Sequence, residues 1–387
     1  MIRALLVPLA LGAATLAAQT PIADDYRADA RSIEPLIERV YAYPERLSGG
    51  AFHLTARLRA EAEQVGDERA LLHFAERAML LLADHHAITG PSFSDSWGLV
   101  PSYADLWIER RAGGFAVDAV RPGSPAARAG IRPGDRLVAV GGVPVDEAVA
   151  AFWADLGAAP GAMDSAFAAR VLAAGRRNAP RRLTLQRGTA PPQMFALPNL
   201  YAEPHPDRPP VSAAPDGGAL RIRFNDSLGE QATIAAFDAA MARARPGQRI
   251  VLDLADTPSG GNSLVARAIL GWFVDRPRFF QMHNDPSELR ETGIARQWVE
   301  QVLPRPGKYH RGPVTVLVGR WTGSMGEGIA IGFDAIGARV VGTRMAGLRG
   351  AVFDERLAHS GLVLKLPAER VMTVTGLPRE NFVPHPR

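Results

Sequence analysis

Cysteine is absent from the 387 residues, and lysine is nearly so: Lys308 and Lys365 are the only two among 44 basic residues. Without cysteine there is neither a disulfide nor a lipid-anchored thiol, so an exported chain of this composition must rely on its core. The scarcity of lysine restricts any mechanism with an amine base to two positions. Arginine cannot substitute, because its guanidinium stays protonated. Clusters of basic residues with interleaved aromatics are missing too, and the net charge is only +4, which argues against nucleic-acid binding. No group of His, Asp and Glu has metal-ligand spacing, so no metal and no other cofactor is expected. After the N-terminus no run is apolar enough to cross a membrane.

What is present is an ordinary globular composition, 47% hydrophobic and 22% charged, with length enough for two or three domains. The chain opens MIRALLVPLALGAATLAAQ. One positive residue, Arg3, precedes an apolar run over 4–16 and small residues at Ala17 and Ala18. This reads as a secretory signal peptide over 1–18, with an uncleaved anchor as the alternative. The expected location is therefore the periplasm or the exterior, with no membrane span after cleavage.

Residues 19–95 carry apolar residues at helical spacing, clearest at Leu71, Leu72, Phe74, Met79, Leu81 and Leu82, and Gly90 and Pro91 are expected to end the last helix. Residues 96–198 alternate short strands with turns, and 147–175 reads as a helix followed by an extra helical segment. Residues 199–387 alternate apolar strands with amphipathic helices, the pattern of parallel crossover units.

Two strand–helix junctions in that last part can carry chemistry. In WTGSMGEGIAIGFDAIG, residues 321–337, Ser324 starts an apolar helix directly after a buried strand. Ser324-Met325-Gly326-Glu327 fits a capping box, so the serine is either a helix cap or a nucleophile presented at a helix N-terminus. In DLADTPSGGN, residues 253–262, Gly260 and Gly261 follow another strand and leave amides exposed. Such amides can form an oxyanion hole if they point at the nucleophile; otherwise they make a tight turn.

GSPAARAGIRPGDRLVAVGG, residues 123–142, resembles the core of a PDZ domain, a module that binds peptide ends by strand addition. Where PDZ domains carry a glycine-rich carboxylate loop, this chain reads PSYADLWIE. With the helical segment before it and the two junctions after it, the chain resembles the tail-specific (C-terminal processing) serine peptidases over nearly all of its mature length. The likeness is closer to their tricorn-core and interphotoreceptor-retinoid-binding-protein-like branch. The resemblance implies a multidomain α+β and α/β fold: an N-terminal helical domain (19–95), a PDZ-like β-barrel with a helical insertion (96–198), and a crotonase-like or ClpP-like α/β core (199–387).

It also implies roles. Ser324 matches the family nucleophile and Glu327 the glutamate after it. The amides near Gly260, Gly261 and Met325 would hold the oxyanion. The processing branch has a lysine base 25 residues after the serine; 324 + 25 = 349, and Arg349 stands there. A Ser–Lys dyad is therefore not expected. The tricorn-like branch takes a histidine from the N-terminal segment, and Leu82, Asp84 and His86 follow that motif, with His85 beside it. His86 is the expected base and His85 the fallback. Glu380, in GLPRENFVPHP, matches a charge-relay glutamate that orients the histidine, with Asp84 competing. Arg349 is left to bind a substrate carboxylate or to hold Glu380 or Glu327. The expected activity is hydrolysis of protein or peptide substrates by a serine–histidine peptidase. An inactive, peptide-binding relative and an esterase-like hydrolase are the rival readings.

Overall fold

The computed structural model describes residues 21–159, 161, 163–204 and 207–386. The expected signal peptide at 1–18 lies outside them. Among the described residues no helix is long and apolar enough to cross a membrane.

Helices α1 (Ala23–Val40), α2 (Ala56–Ala62) and α3 (Glu68–Leu80) open the chain. Thr55 and Asp67 cap α2 and α3 by accepting from the amides of Leu58 and Ala70, which satisfies donors that a helix start leaves orphaned. Ile33, Ile37 and Val40 of α1 and Leu71, Phe74 and Ala78 of α3 are buried together. Helix α3 stops at Leu80, short of the Gly90–Pro91 end that the sequence suggests. Ala83 adopts φ 46°, and the Asp84 carboxylate takes the His86 amide at 3.0 Å, an Asx-type turn that competes with helix. The two histidines therefore lie in a turn, just before strand β1 (Ile88–Thr89).

A second unit follows: β2 (Leu106–Arg111), β3 (Gly114–Val120), α4 (Pro125–Arg128), β4 (Arg136–Val140), β5 (Val143–Pro144), α5 (Val145–Asp155), α6 (Ser165–Ala174), β6 (Arg181–Gln186) and β7 (Gln193–Leu197). Its sheet runs β2-β3-β4-β6-β7, with β5 on β4. Ser124 caps α4 and Gly130, at φ 81°, follows it. This unit and α1–α3 share one hydrophobic cluster.

The third unit holds β8 (Val211–Asp216), β9 (Ala219–Phe224), α7 (Ala232–Met241), β10 (Ile250–Asp253), β11 (Asp256–Thr257), α8 (Ser263–Leu270), β12 (Arg278–Asp285), α9 (Pro286–Thr292), β13 (Arg296–Val302), β14 (Val314–Val318), β15 (Trp321–Thr322), α10 (Met325–Ala335), β16 (Arg339–Gly342), β17 (Ala351–Arg356) and β18 (Val363–Met372). Strands β9, β10, β14 and β16 are parallel, and β8 joins antiparallel at the edge. β10 and β14 are neighbours, so the loops after them emerge side by side, and β11 pairs β15 beyond the sheet through Asp256↔Trp321 and Thr257↔Thr322. A second sheet runs β1-β18-β12-β13, with β17 on β18. It draws β1 onto β18 by pairing Ile88 with Lys365.

Under the second unit, Asp105 and Arg181 form a bidentate pair at 2.5 and 3.0 Å, with side chains 0% and 1% exposed. Removing one partner would strand the other charge in the core. Arg181→Met is expected to lower unfolding stability by roughly 3–5 kcal/mol, read as a fall in the urea midpoint, and Asp105→Leu added to it should recover part of that loss.

Candidate functional site

Parallel neighbours deliver the two loops to one point. The loop after β14 places Ser324 at the start of α10 with φ 50° and ψ −114°, a conformation that costs a non-glycine residue of order 1–3 kcal/mol. Its side chain makes no cap hydrogen bond. The hydroxyl instead meets His86 Nε2 at 3.0 Å. The other half of the capping pattern is kept: Glu327 accepts from the Ser324 amide at 2.9 Å.

His86 is 9% exposed. Its Nδ1 lies 2.6 Å from the carbonyl oxygen of Arg349. A carbonyl only accepts, so Nδ1 carries the proton, and Nε2 offers its lone pair to the Ser324 hydroxyl. Burial, reinforced by the Arg379 charge, pushes the His86 pKa down to about 4, against smaller opposing effects of the Arg349 carbonyl and Asp84. The ring is thus a neutral base at neutral pH.

The Arg349 carbonyl is held in turn. Glu327, 0% exposed, accepts from the amides of Gly347 at 2.9 Å and Leu348 at 3.1 Å as well as from Ser324. Arg379, also buried, donates to the carbonyls of Leu348 at 2.9 Å and Gly350 at 2.7 Å. Burial pushes Glu327 up to about 7, while Arg379 and the three amides pull it back.

Gly260 packs directly on the serine: with φ 70°, a Cβ there would stand 2.4 Å from Ser324 Cβ. At Gly261 a Cβ would meet the Leu228 carbonyl at 2.2 Å. Of the three amides expected to face an oxyanion, that of Gly260 is spent on the Thr257 carbonyl, at 3.4 Å. Among the described residues, those of Gly261 and Met325 have no acceptor. Asp226, unremarked in the sequence and at φ 59°, anchors this loop by accepting from the Ser259 amide and hydroxyl at 2.9 and 2.6 Å.

Three expectations need correction. Glu380 makes no hydrogen bond to His86, because the Arg349 carbonyl takes the Nδ1 position; its Oε2 is buried without a partner among the described residues. Arg349 contributes its backbone: its guanidinium lies 4.0 Å from Asp84, and among the described residues it forms no ion pair with Glu380 or Glu327. Asp84 acts on the His86 amide, not on the ring; its other oxygen accepts from Tyr41 at 2.7 Å. His85 stacks on Phe167 at 4.4 Å and accepts from Arg170 at 3.1 Å, away from the serine hydroxyl. The sequence reading missed Arg379 and the Arg349 carbonyl. The first stands one residue before the glutamate that drew attention, and a backbone acceptor leaves no mark in a sequence.

The pair opens into a cleft of 420 Å³ whose apolar wall includes Ile88, Leu99, Val100, Leu348 and Val352. Lys365 also lines it, bonded to Asp354 at 2.6 Å and not to Ser324. Among the described residues no cluster of His, Asp and Glu could hold a metal ion.

Comparison with known proteins agrees with this architecture. The family model described as Peptidase family S41 matches residues 218–381, and a PDZ domain model matches 117–156. No curated protein sequence matches the chain. Among solved structures, the photosystem II D1 C-terminal processing protease is similar at 17% identity and TM-score 0.54, over 94% of this chain and 93% of that one. Mature CPAF is similar at 16% identity and TM-score 0.55, over 94% and 92%. At these identities the likeness is one of fold.

Two outcomes are expected. The rate of serine modification should stay flat as pH falls and decline only near pH 4, the folded His86 value. A decline near pH 7 would instead assign the limb to Glu327, whose protonation weakens its hold on the amides of Ser324, Gly347 and Leu348. Because the His86 pKa is depressed from 6.5, its contribution to stability is complete above pH 6.5 and is lost as pH falls toward 4. Glu327 has the opposite sign: its contribution is present below 4.5 and is lost as pH rises through 7. Separately, Gly260→Ala forces a Cβ into Ser324 at a left-handed backbone costing roughly 1–2 kcal/mol. It should abolish serine reactivity while leaving the far-ultraviolet circular dichroism unchanged.

Proposed function

We propose that this chain, a serine-type peptidase that is a member of peptidase family S41 over residues 218–381, cleaves peptide bonds with Ser324 as nucleophile and His86 as base, and does so outside the cytoplasm. The observation that carries the catalytic half is the 3.0 Å contact between His86 Nε2 and Ser324 Oγ, with Nδ1 fixed on a carbonyl.

The steps follow from that geometry. As Ser324 Oγ attacks a substrate carbonyl, its proton passes to His86 Nε2. The negative charge on the former carbonyl oxygen is met by the amides of Gly261 and Met325, the second at a helix N-terminus. Collapse breaks the C–N bond, and Nε2 returns the proton to the leaving amine. A water molecule then releases the acyl group, with His86 again the base. The Arg349 carbonyl fixes the tautomer and orientation throughout, the part for which a carboxylate is used elsewhere. Protein or peptide chains are the substrates, with apolar side chains placed against Ile88, Val100 and Val352. Export rests on the signal-like run at 1–18.

The test is labelling of purified protein with a fluorophosphonate probe. Wild type should be labelled. Ser324→Ala should not be, and His86→Ala should slow labelling by about 10²–10⁴-fold, with both variants folded. A well-folded wild type that takes no label would overturn this reading in favour of a peptide-binding protein in which Ser324 only starts a helix.

A further inference from the structure

Strand β2 is an edge strand, paired among the described residues only with β3. An edge of this kind is where a PDZ domain accepts an added peptide strand. Successive side chains of a strand point to opposite faces, so an open edge strand normally shows alternating burial. On β2 the neighbours Leu106 and Trp107 are 1% and 2% exposed, and Ile108, across a bulge from Trp107, is 0% exposed. Both faces are covered, and the cover is the chain itself.

Helix α6, the extra segment between α5 and β6, lies against β2. Arg170 on α6 donates to the Ile108 carbonyl at 3.3 Å, using an acceptor of the edge. Its guanidinium stands 5.0 Å from the Trp107 ring, and that of Arg320, four residues before Ser324, stands 5.0 Å from the same ring. Glu109 closes the sandwich: its Oε1 accepts from Trp107 at 2.8 Å and Arg320 at 3.1 Å and lies 3.5 Å from Arg170. Beyond its C-terminus, α6 is tied down where the Gly98 amide donates to the Gly175 carbonyl at 2.8 Å.

The inner face of α6 also reaches the residue beside the base. Phe167 stacks on His85 with ring centroids 4.4 Å apart and planes at 23°. Arg170 Nε donates to His85 Nε2 at 3.1 Å. The ring of His85 is therefore pinned on its face and at its edge. Its peptide neighbour, His86, has its amide held by Asp84 and its ring by the Arg349 carbonyl.

We infer that α6 is a built-in occupant of the peptide-accepting edge of the PDZ domain, and that Arg170 and Phe167, acting on His85, are positioning residues that keep His86 aimed at Ser324 without an activating peptide. The positioning half rests on the serine–histidine reading above. The occupied edge does not.

Two measurements on the full chain test this. In the first, wild type is titrated into a pooled library of fluorescein-labelled peptides with free C-termini and followed by anisotropy. No binding that competes at β2 is expected, and adding the unlabelled pool should leave fluorophosphonate labelling unchanged. Peptide binding that is lost on substitution of Ile108 or Trp107, or a labelling rate that rises with peptide, would overturn the occupied edge. In the second, labelling is resolved into its saturating rate and its half-saturating probe concentration. Arg170→Met and Phe167→Leu should each lower the saturating rate by about tenfold or more and leave the half-saturating concentration unchanged, a split that general destabilisation does not produce. Arg170→Lys should not restore the rate, because it lacks the planar fork that spans His85 and the Ile108 carbonyl. Folded variants that label at the wild-type rate would overturn the positioning role alone. An unlabelled wild type would overturn the serine–histidine reading and this role together, while the peptide titration still decides who occupies the edge.

Discussion

One buried carboxylate organises the site. Glu327 collects the amides of Ser324, Gly347 and Leu348, and so joins the start of α10 to a segment about twenty residues later in the chain. A buried carboxylate is tolerated only when its oxygens are well used, and here three donors and the nearby Arg379 supply that. The result reaches past Glu327 itself. The segment it fixes is the one whose Arg349 carbonyl holds His86, so a single acid sets both the backbone of the serine and the anchor of the histidine.

The three units of the chain meet around this point through specific polar contacts. Arg121 after β3 bonds Asp256 of β11 at 2.8 Å, and Trp321 of β15 donates to the Ala104 carbonyl at 2.7 Å. Both core partners sit on the small β11–β15 pair that leads to Gly260 and Ser324. From the other side, β1 is drawn onto β18, which brings the turn carrying His86 over the cleft. The site is therefore a junction of all three units.

Sequence patterns carried most of the architecture. Strand–helix alternation over 199–387 implied parallel crossover units, and the likeness of residues 123–142 to a PDZ core implied the PDZ fold. The same patterns left Ser324 divided between cap and nucleophile, because both begin with a hydroxyl before an apolar helix. Only the partner of the hydroxyl separates them, and that partner is distant in the chain. The end of α3 was misplaced because Ala83 carries no sign of a left-handed backbone, while Gly90 and Pro91 are conspicuous breakers. Glu380 drew attention as an acid in a matching motif, whereas its neighbour Arg379 and a main-chain oxygen hold the histidine segment. Roles filled by backbone atoms, or by residues that act through backbone atoms, are invisible to a reading of side-chain types.

The separation of the pair along the chain has a consequence for synthesis. Ser324 and His86 are 238 residues apart, and β1 reaches its place only by pairing with β18, close to the C-terminus. Contacts of such long range form late, since loop closure precedes any reward from them. A chain still emerging from the ribosome, or one truncated before β18, lacks the strand that draws the His86 turn over Ser324. The contact between Ser324 and His86 is thus completed only with the last strands of the fold, and the cleft takes its shape at the end of folding and not before.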